Sequence, residues 1–275
     1  MGGTWVLACL AMLVLTAVPL IQPVDAAPAA KRGSITITAD AMDIDAASGR
    51  VTATGRVRVT DGNLTATGSR ATLYQAERRA VLAEGAKVSG PQGTLQAAEI
   101  EVSYTTTEIT RVVARGSAGL QIQAGRLSAP TLVILPAGRM ITGEGGVTFS
   151  SPPDITATGR RLTYDWARAT AVLEGGARVQ NREGMISGDR IEADQRVQRA
   201  TVTGSVHGRF RDIEVRSRTA DVFGQEKKAV FLGDVRMTQP GRVLTTEKVT
   251  VWYSTRRIVA EGQTHVELEP PESRR

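Results

Sequence analysis

From Val51 to Thr60 the chain alternates strictly. Val51, Ala53, Gly55, Val57 and Val59 share one parity, and Thr52, Thr54, Arg56, Arg58 and Thr60 the other. A period of two, rich in Val and Thr, predicts a strand with one dry and one wet face. The pattern recurs along the chain. A glycine closely followed by an aliphatic residue stands at Gly55, Gly85, Gly116, Gly145, Gly175, Gly204, Gly233 and Gly262, at intervals of 29, 30 or 31 residues. Between these glycines an aliphatic-x-small motif repeats at Leu64/Ala66, Leu95/Ala97, Leu127/Ala129, Ile155/Ala157, Ile186/Gly188, Val215/Ser217 and Leu244/Thr246, opening with Ile37/Ala39. Such even self-similarity marks a repeat architecture, in which each unit buries its apolar face against its neighbours.

The two strand types differ at their midpoints. Parity runs through the glycine in the first type: Val112, Ala114, Gly116, Ala118, Leu120 and Ile122 are all even-numbered. In the second type it slips by one, from Leu95 and Ala97 to Ile100 and Val102, and from Leu127 and Ala129 to Leu132 and Ile134. A one-residue slip in every unit predicts a β-bulge on this second strand, with the glycine giving the matching bend on its partner. Turn residues at 46–49, 61–63, 75–78 and 181–184 leave connections too short for a parallel crossover, so neighbours are antiparallel. The expected fold is all-β: eight units of about 30 residues and about 16 bent strands over residues 35–268, stacked as an open V-shaped trough. Ser150-Ser151-Pro152-Pro153-Asp154 is read either as a break between two four-unit modules or as a kinked turn. Residues 269–275 are expected to form a disordered tail.

Residues Trp5 to Ile21 carry no charge, and Val24-Asp25-Ala26-Ala27 follows as a small-residue cleavage pattern. Residues 1–26 therefore read as a signal peptide, or as an anchor if left uncleaved, with 27–34 as a linker. Val6-Leu7-Ala8-Cys9 has no apolar region before it and is not a lipoprotein signal. Cleavage leaves 34 basic against 27 acidic side chains, a net +7, and removes the chain's single cysteine. An exported protein without a disulfide framework is the result, placed in the periplasm or held at the inner membrane.

The run Ile37-Thr38-Ala39-Asp40-Ala41-Met42-Asp43-Ile44, followed by Val51-Thr52-Ala53-Thr54-Gly55-Arg56-Val57-Arg58-Val59, resembles the repeat of OstA-like, LptA-type lipopolysaccharide-transport proteins. That group includes the bridge protein LptA, the bitopic LptC and the N-terminal domain of LptD. The resemblance extends over residues 35–268. It implies a β-jelly-roll or β-taco that carries lipopolysaccharide between inner and outer membrane, serving outer-membrane assembly with no enzymatic activity and no cofactor. Eight units exceed the length expected of a standard bridge protein, and no outer-membrane barrel follows within these 275 residues.

Inward parity selects Val57, Val59, Leu73, Val88, Ile100, Val102, Leu120, Ile122, Leu132, Ile134, Val147, Phe149, Leu162, Val179, Ile191, Val206, Val222 and Val235. On the residues alone these could simply close as a sandwich core; with the resemblance they form an openable groove for acyl chains. The array's ends are unpaired strand edges, suited to strand addition. Ile35 and Ile37 at one end and Val266 and Leu268 at the other are the expected docking positions for other Lpt-type troughs or for head-to-tail self-association.

The other chemistries are poorly supplied. His207 and His265 are the only histidines, no nucleophile–base arrangement is present, and aromatics make up 4% of the chain. Carboxylates such as Asp40, Glu99, Asp189, Asp221 and Glu247 recur with the repeat, which marks them as bulge and turn residues rather than a glycosidase pair. The many arginines alternate with acids, against nucleic-acid binding. They either solubilise edges or meet lipid phosphates at the rim. A scaffold or adhesion β-solenoid of the envelope is the competing reading of the whole.

Overall fold

The computed structural model describes residues 36–268 apart from 107, 183, 211, 253, 254 and 256. The signal segment, the linker, Ile35 and the C-terminal tail lie outside the described residues. Every regular element described is a strand: β1 (Thr36–Thr38), β2 (Ala41–Asp45), β3 (Arg50–Asp61), β4 (Leu64–Tyr74), β5 (Arg79–Gly90), β6 (Gly93–Tyr104), β7 (Ile109–Ile122), β8 (Gly125–Leu135), β9 (Met140–Ser151), β10 (Ile155–Asp165), β11 (Thr170–Gln180), β12 (Gly184–Asp194), β13 (Arg199–Phe210), β14 (Ile213–Phe223), β15 (Lys228–Gln239), β16 (Arg242–Trp252), β17 (Arg257–Glu261) and β18 (His265–Leu268). The count exceeds the expected 16 for a local reason. The opening strand is broken at Ala39-Asp40 into β1 and β2, which both pair with β3. The closing strand is broken at 262–264 into β17 and β18, which both pair with β16.

Two compact units divide the chain. The first holds residues 36–149 and 161–167, the second 150–160 and 168–268. In the first, β3 to β8 pair antiparallel in succession. In the second, β11 to β16 do the same. Two kinds of turn alternate. Short turns join each glycine-bearing strand to the next plain strand, as at Gly62-Asn63, and four-residue turns lead back to the following glycine strand. The fourth residue of the longer turns is left-handed whatever its type: Gly49, Arg78, Arg139, Ala169, Gln198 and Lys227 all have φ between 50° and 63°.

Each ladder within β3–β8 and within β11–β16 shifts register at the glycine. In β3–β4, Thr54 faces Arg70 and Val57 faces Gly68, so Gly55 and Arg56 oppose Ser69 alone. The bulge's extra residue therefore lies on the glycine strand, not on the parity-slipping strand that the sequence pattern pointed to. Gly55 and Arg56 have φ of 70° and 41°, and Gly204 and Ser205 have 77° and 49°. Two consecutive left-handed residues turn the strand through a corner while using an even number of residues, so the inward parity survives. The plain strand takes the same corner with one residue fewer. Ala97 and Ile100 are both buried while Ala98 and Glu99 face outward, which is what the parity slip records.

Each unit has its own apolar interior. In the first, Val57, Ala86, Ile100, Ala114 and Leu132 are buried on both arms of the corner; in the second, Ile186, Val202, Val215, Val222, Phe231 and Val235 are. Small residues just before the corner let the arms approach. A Cβ at Gly188 would lie 2.7 Å from Val202 Cγ1, and one at Gly159 2.7 Å from Leu173 Cδ1. In β4 and β10 this position belongs to Gly68 and Gly159, two residues beyond Ala66 and Ala157, which the motif had selected. The arm before the corner has the same length in β4, β10 and β12, so the apolar motif sits two residues earlier on it in β4 and β10.

Candidate functional site

The eighteen inward positions divide by burial. Val57, Ile100, Leu132, Val147, Phe149, Leu162, Val179, Ile191, Val206, Val222 and Val235 are buried. Val59, Leu73, Val88, Val102, Leu120, Ile122 and Ile134 are half-buried, and all seven belong to the first unit. Cross-strand pairing sets them side by side: Val59 lies opposite Ala66, which in turn faces Val88, and Val88 faces Leu95. Leu95 then faces Leu120, and Leu120 faces Leu127. On the other arm Val102 faces Val112, and Val112 faces Ile134. The first unit thus carries two apolar walls whose outer parts stay in reach of solvent-side ligands. In the second unit the corresponding Val179, Val222 and Met237 are buried, while Val251 and Leu244 on β16 are half-buried.

The array ends expose what the interior hides. Ile37 is 38% exposed, Val266 47% and Leu268 72%, although all three have inward parity. Met42 and Ile44 on β2, the inward positions after the parity slip of the opening strand, are exposed for the same reason. Their strands have a neighbour on one side only, so the inner face lacks the next rung of side chains.

Charged residues at the corners have a structural role. Asp40 accepts a fork from Arg56, at 2.9 Å from Nε and 2.7 Å from Nη2. Arg115 reaches Glu99 at 3.2 Å, Arg218 meets Asp234 at 2.5 Å, and Arg70 lies 3.4 Å from Glu84. Each pair brackets a corner glycine from the convex side, pairing the residue next to the glycine with one on the plain strand. The hydrogen bond from Arg56, and its charge, hold the Asp40 carboxyl below the usual carboxylate range. Asp221 serves differently, accepting from Thr201 and Arg199 on the outer wall. His207 Nε2 lies 2.7 Å from Glu214, which also accepts from Arg216 at 3.0 Å. The Arg216 bond, then that to His207, lowers the pKa of Glu214. Among the described residues no group of His, Cys, Asp and Glu is arranged to hold a metal.

Three aromatic rings at strand ends, Tyr74, Phe223 and Trp252, each lie beside a cation. Arg79 stacks on Tyr74 at 4.1 Å, Arg199 and Lys228 flank Phe223 at 5.2 and 4.8 Å, and Arg257 stacks on Trp252 at 5.3 Å. The signal was present in the sequence as a basic residue opening most glycine strands five residues after the last residue of the plain strand.

The model of the family described as LptA/(LptD N-terminal domain) LPS transport protein matches residues 29–108. No curated protein matches the chain by sequence. A solved structure that is similar is that of LptH from Pseudomonas aeruginosa, described as the LptA-homologous periplasmic component of a lipopolysaccharide transport device. It is 14% identical, with a TM-score of 0.40, over 42% of this chain and 95% of that one.

Proposed function

We propose that this chain, LptA-type where the family model matches it, carries lipopolysaccharide through the periplasm with the acyl chains lodged in the first unit. The observation that supports this reading most directly is the set of seven half-buried aliphatic positions there, against none among those chosen in the second unit. Each methylene kept from water is worth about 0.8 kcal/mol, so a lipid with several acyl chains cannot be released into the aqueous phase. It can only pass between contiguous apolar sites, and the repeat supplies these in register. The chain contributes no reaction; the push comes from a partner. Neighbouring troughs, or further copies of this chain, add strands at Ile37 or at Val266 and Leu268, where apolar side chains and unpaired backbone coincide.

The buried interior of β11 to β15 supports a complementary scaffold role for that part of the chain. The deciding experiment is mass spectrometry of the full chain purified from cell envelopes without detergent. A co-purifying phosphorylated acyl glycolipid is the expected result. A protein free of acyl lipid, and unable to take it up from micelles, would leave only the scaffold.

A further inference from the structure

The outer face of the second unit carries a row of cations that its own carboxylates do not balance. Arg178 faces Ser187, Ser187 faces His207, His207 faces Arg216 and Arg216 faces Arg236, one residue per strand from β11 to β15. These side chains project outward. Arg178 lies between buried Ala177 and Val179, Arg216 between buried Val215 and Ser217, and Arg236 between buried Val235 and Met237. Arg209 stands in the adjacent row, opposite Glu214.

Like charges directly opposite each other weaken a sheet, and neighbouring strands are only about 4.8 Å apart. Arg216 and Arg236 are nonetheless cross-strand partners. Among the described residues Glu214 is the only carboxylate engaged by this row, and it is shared between His207 and Arg216. Arg178, Arg209 and Arg236 have no ion-pair partner within 4.0 Å among the described residues. The corresponding row of the first unit is unlike it. Arg58, Thr67, Lys87, Gln96 and Gly119 follow one another there, and no two cations are opposed.

We infer that this outer face docks on an anionic, phosphate-bearing lipid surface, holding the second unit flat against a bilayer leaflet. The row spans five strands: Arg178 and Arg209 line an open hollow with Arg182 at one end, and Arg216 and Arg236 lie outside its lining, so no single small anion reaches them all. A surface bearing many phosphates answers a row of guanidiniums spread over several strands, because guanidiniums bind phosphate through paired N–H groups. Surface cations near an anionic leaflet gain attraction that salt screens. Docking uses the outer face and is independent of whether the first unit holds acyl chains.

The test is flotation of the full chain with vesicles of phosphatidylcholine alone or with one third phosphatidylglycerol. Binding is expected only to the anionic vesicles, and it is lost in high salt. The double variant Arg216→Gln/Arg236→Gln is expected to lower partitioning about tenfold or more. Arg58→Gln/Lys87→Gln, which removes the same charge from the first unit, changes it less than twofold. Arg178→Gln/Arg209→Gln repeats the measurement on independent positions, and thermal unfolding verifies that each variant is folded. Equal losses in the first- and second-unit variants, or no loss at all, overturn the inference. Displacement by inorganic phosphate at constant ionic strength does so as well, by assigning the row to a free anion.

Discussion

Ala98 covers Gly116 so closely that a Cβ at the glycine would lie 2.6 Å from the alanine Cβ. The contact crosses the corner between β6 and β7, where Gly116 has φ of 80°. Gly85 is the second of the two left-handed residues at the β5 corner, after Glu84, with φ of 81°, and nothing stands within 4 Å of its missing side chain. The two glycines separate backbone strain from steric crowding. Gly85→Ala is expected to cost about 1–2 kcal/mol, the penalty of a left-handed non-glycine residue. Gly116→Ala should cost about 1–3 kcal/mol more, because Ala98 must also yield. Urea denaturation of the pair measures the difference; equal losses would refute the crowding argument.

The interior positions should respond unequally to charge. Val222 is fully buried in the second unit, so Val222→Asp is expected to destabilise by about 4 kcal/mol or more. Val102 is half-buried in the first unit, and Val102→Asp should cost about 1–2 kcal/mol while sharply reducing co-purified acyl lipid. Denaturation and lipid mass spectrometry on the same preparations check both halves. Retained lipid in folded Val102→Asp would move the acyl site elsewhere.

Proline at Val266 removes one backbone donor from the terminal strand, which pairs with β16 alone. Association with other troughs, or between copies, should weaken while the monomer's unfolding midpoint shifts by no more than a few degrees. Site-specific cross-linking reports the association, and unchanged yields would exclude this edge.

Acid should loosen the first corner and its hairpin. Asp45 accepts from the Ser48 hydroxyl at 2.6 Å and from the backbone N–H of Ser48 and Ala47, which lowers its carboxyl below the ordinary 3.8. Its folded-state pKa is depressed, so its stabilisation is complete above 3.8 and is lost as pH falls through the lower folded value. The same sign holds for Asp40, depressed by Arg56. Asp45→Asn/Asp40→Asn is expected to flatten the stability-against-pH curve on that acid limb and leave the neutral region's slope unchanged. Urea midpoints measured across the limb decide it.

Much of this fold is legible in residue spacing. The alternation through Val51–Val59, the recurring glycine and the parity slip at Ala97–Ile100 locate strands, corners and turns, because a period of two translates directly into facing. What the spacing hides is which strand holds the extra residue. Parity is blind to two left-handed residues in succession, since Gly55 and Arg56 together consume an even count. The site was legible as an inward set but not as an exposure gradient. Val88 and Val222 look alike in sequence, and only the arrangement of the two walls leaves one half-open and the other shut. The outer cationic row escaped for a similar reason: Arg216 and Arg236 are twenty residues apart and meet only through the register of β14 and β15.

The interruption of the outermost strands at Ala39-Asp40 and at 262–264 carries a selective consequence. A straight ribbon laid against either extremity can satisfy β1 or β2, β17 or β18, but never both members of a pair. Only a newcomer creased at the same height completes the match. If strands add at these edges as proposed, the fissure would act as a keyway, favouring arrays creased at the same height over flat segments.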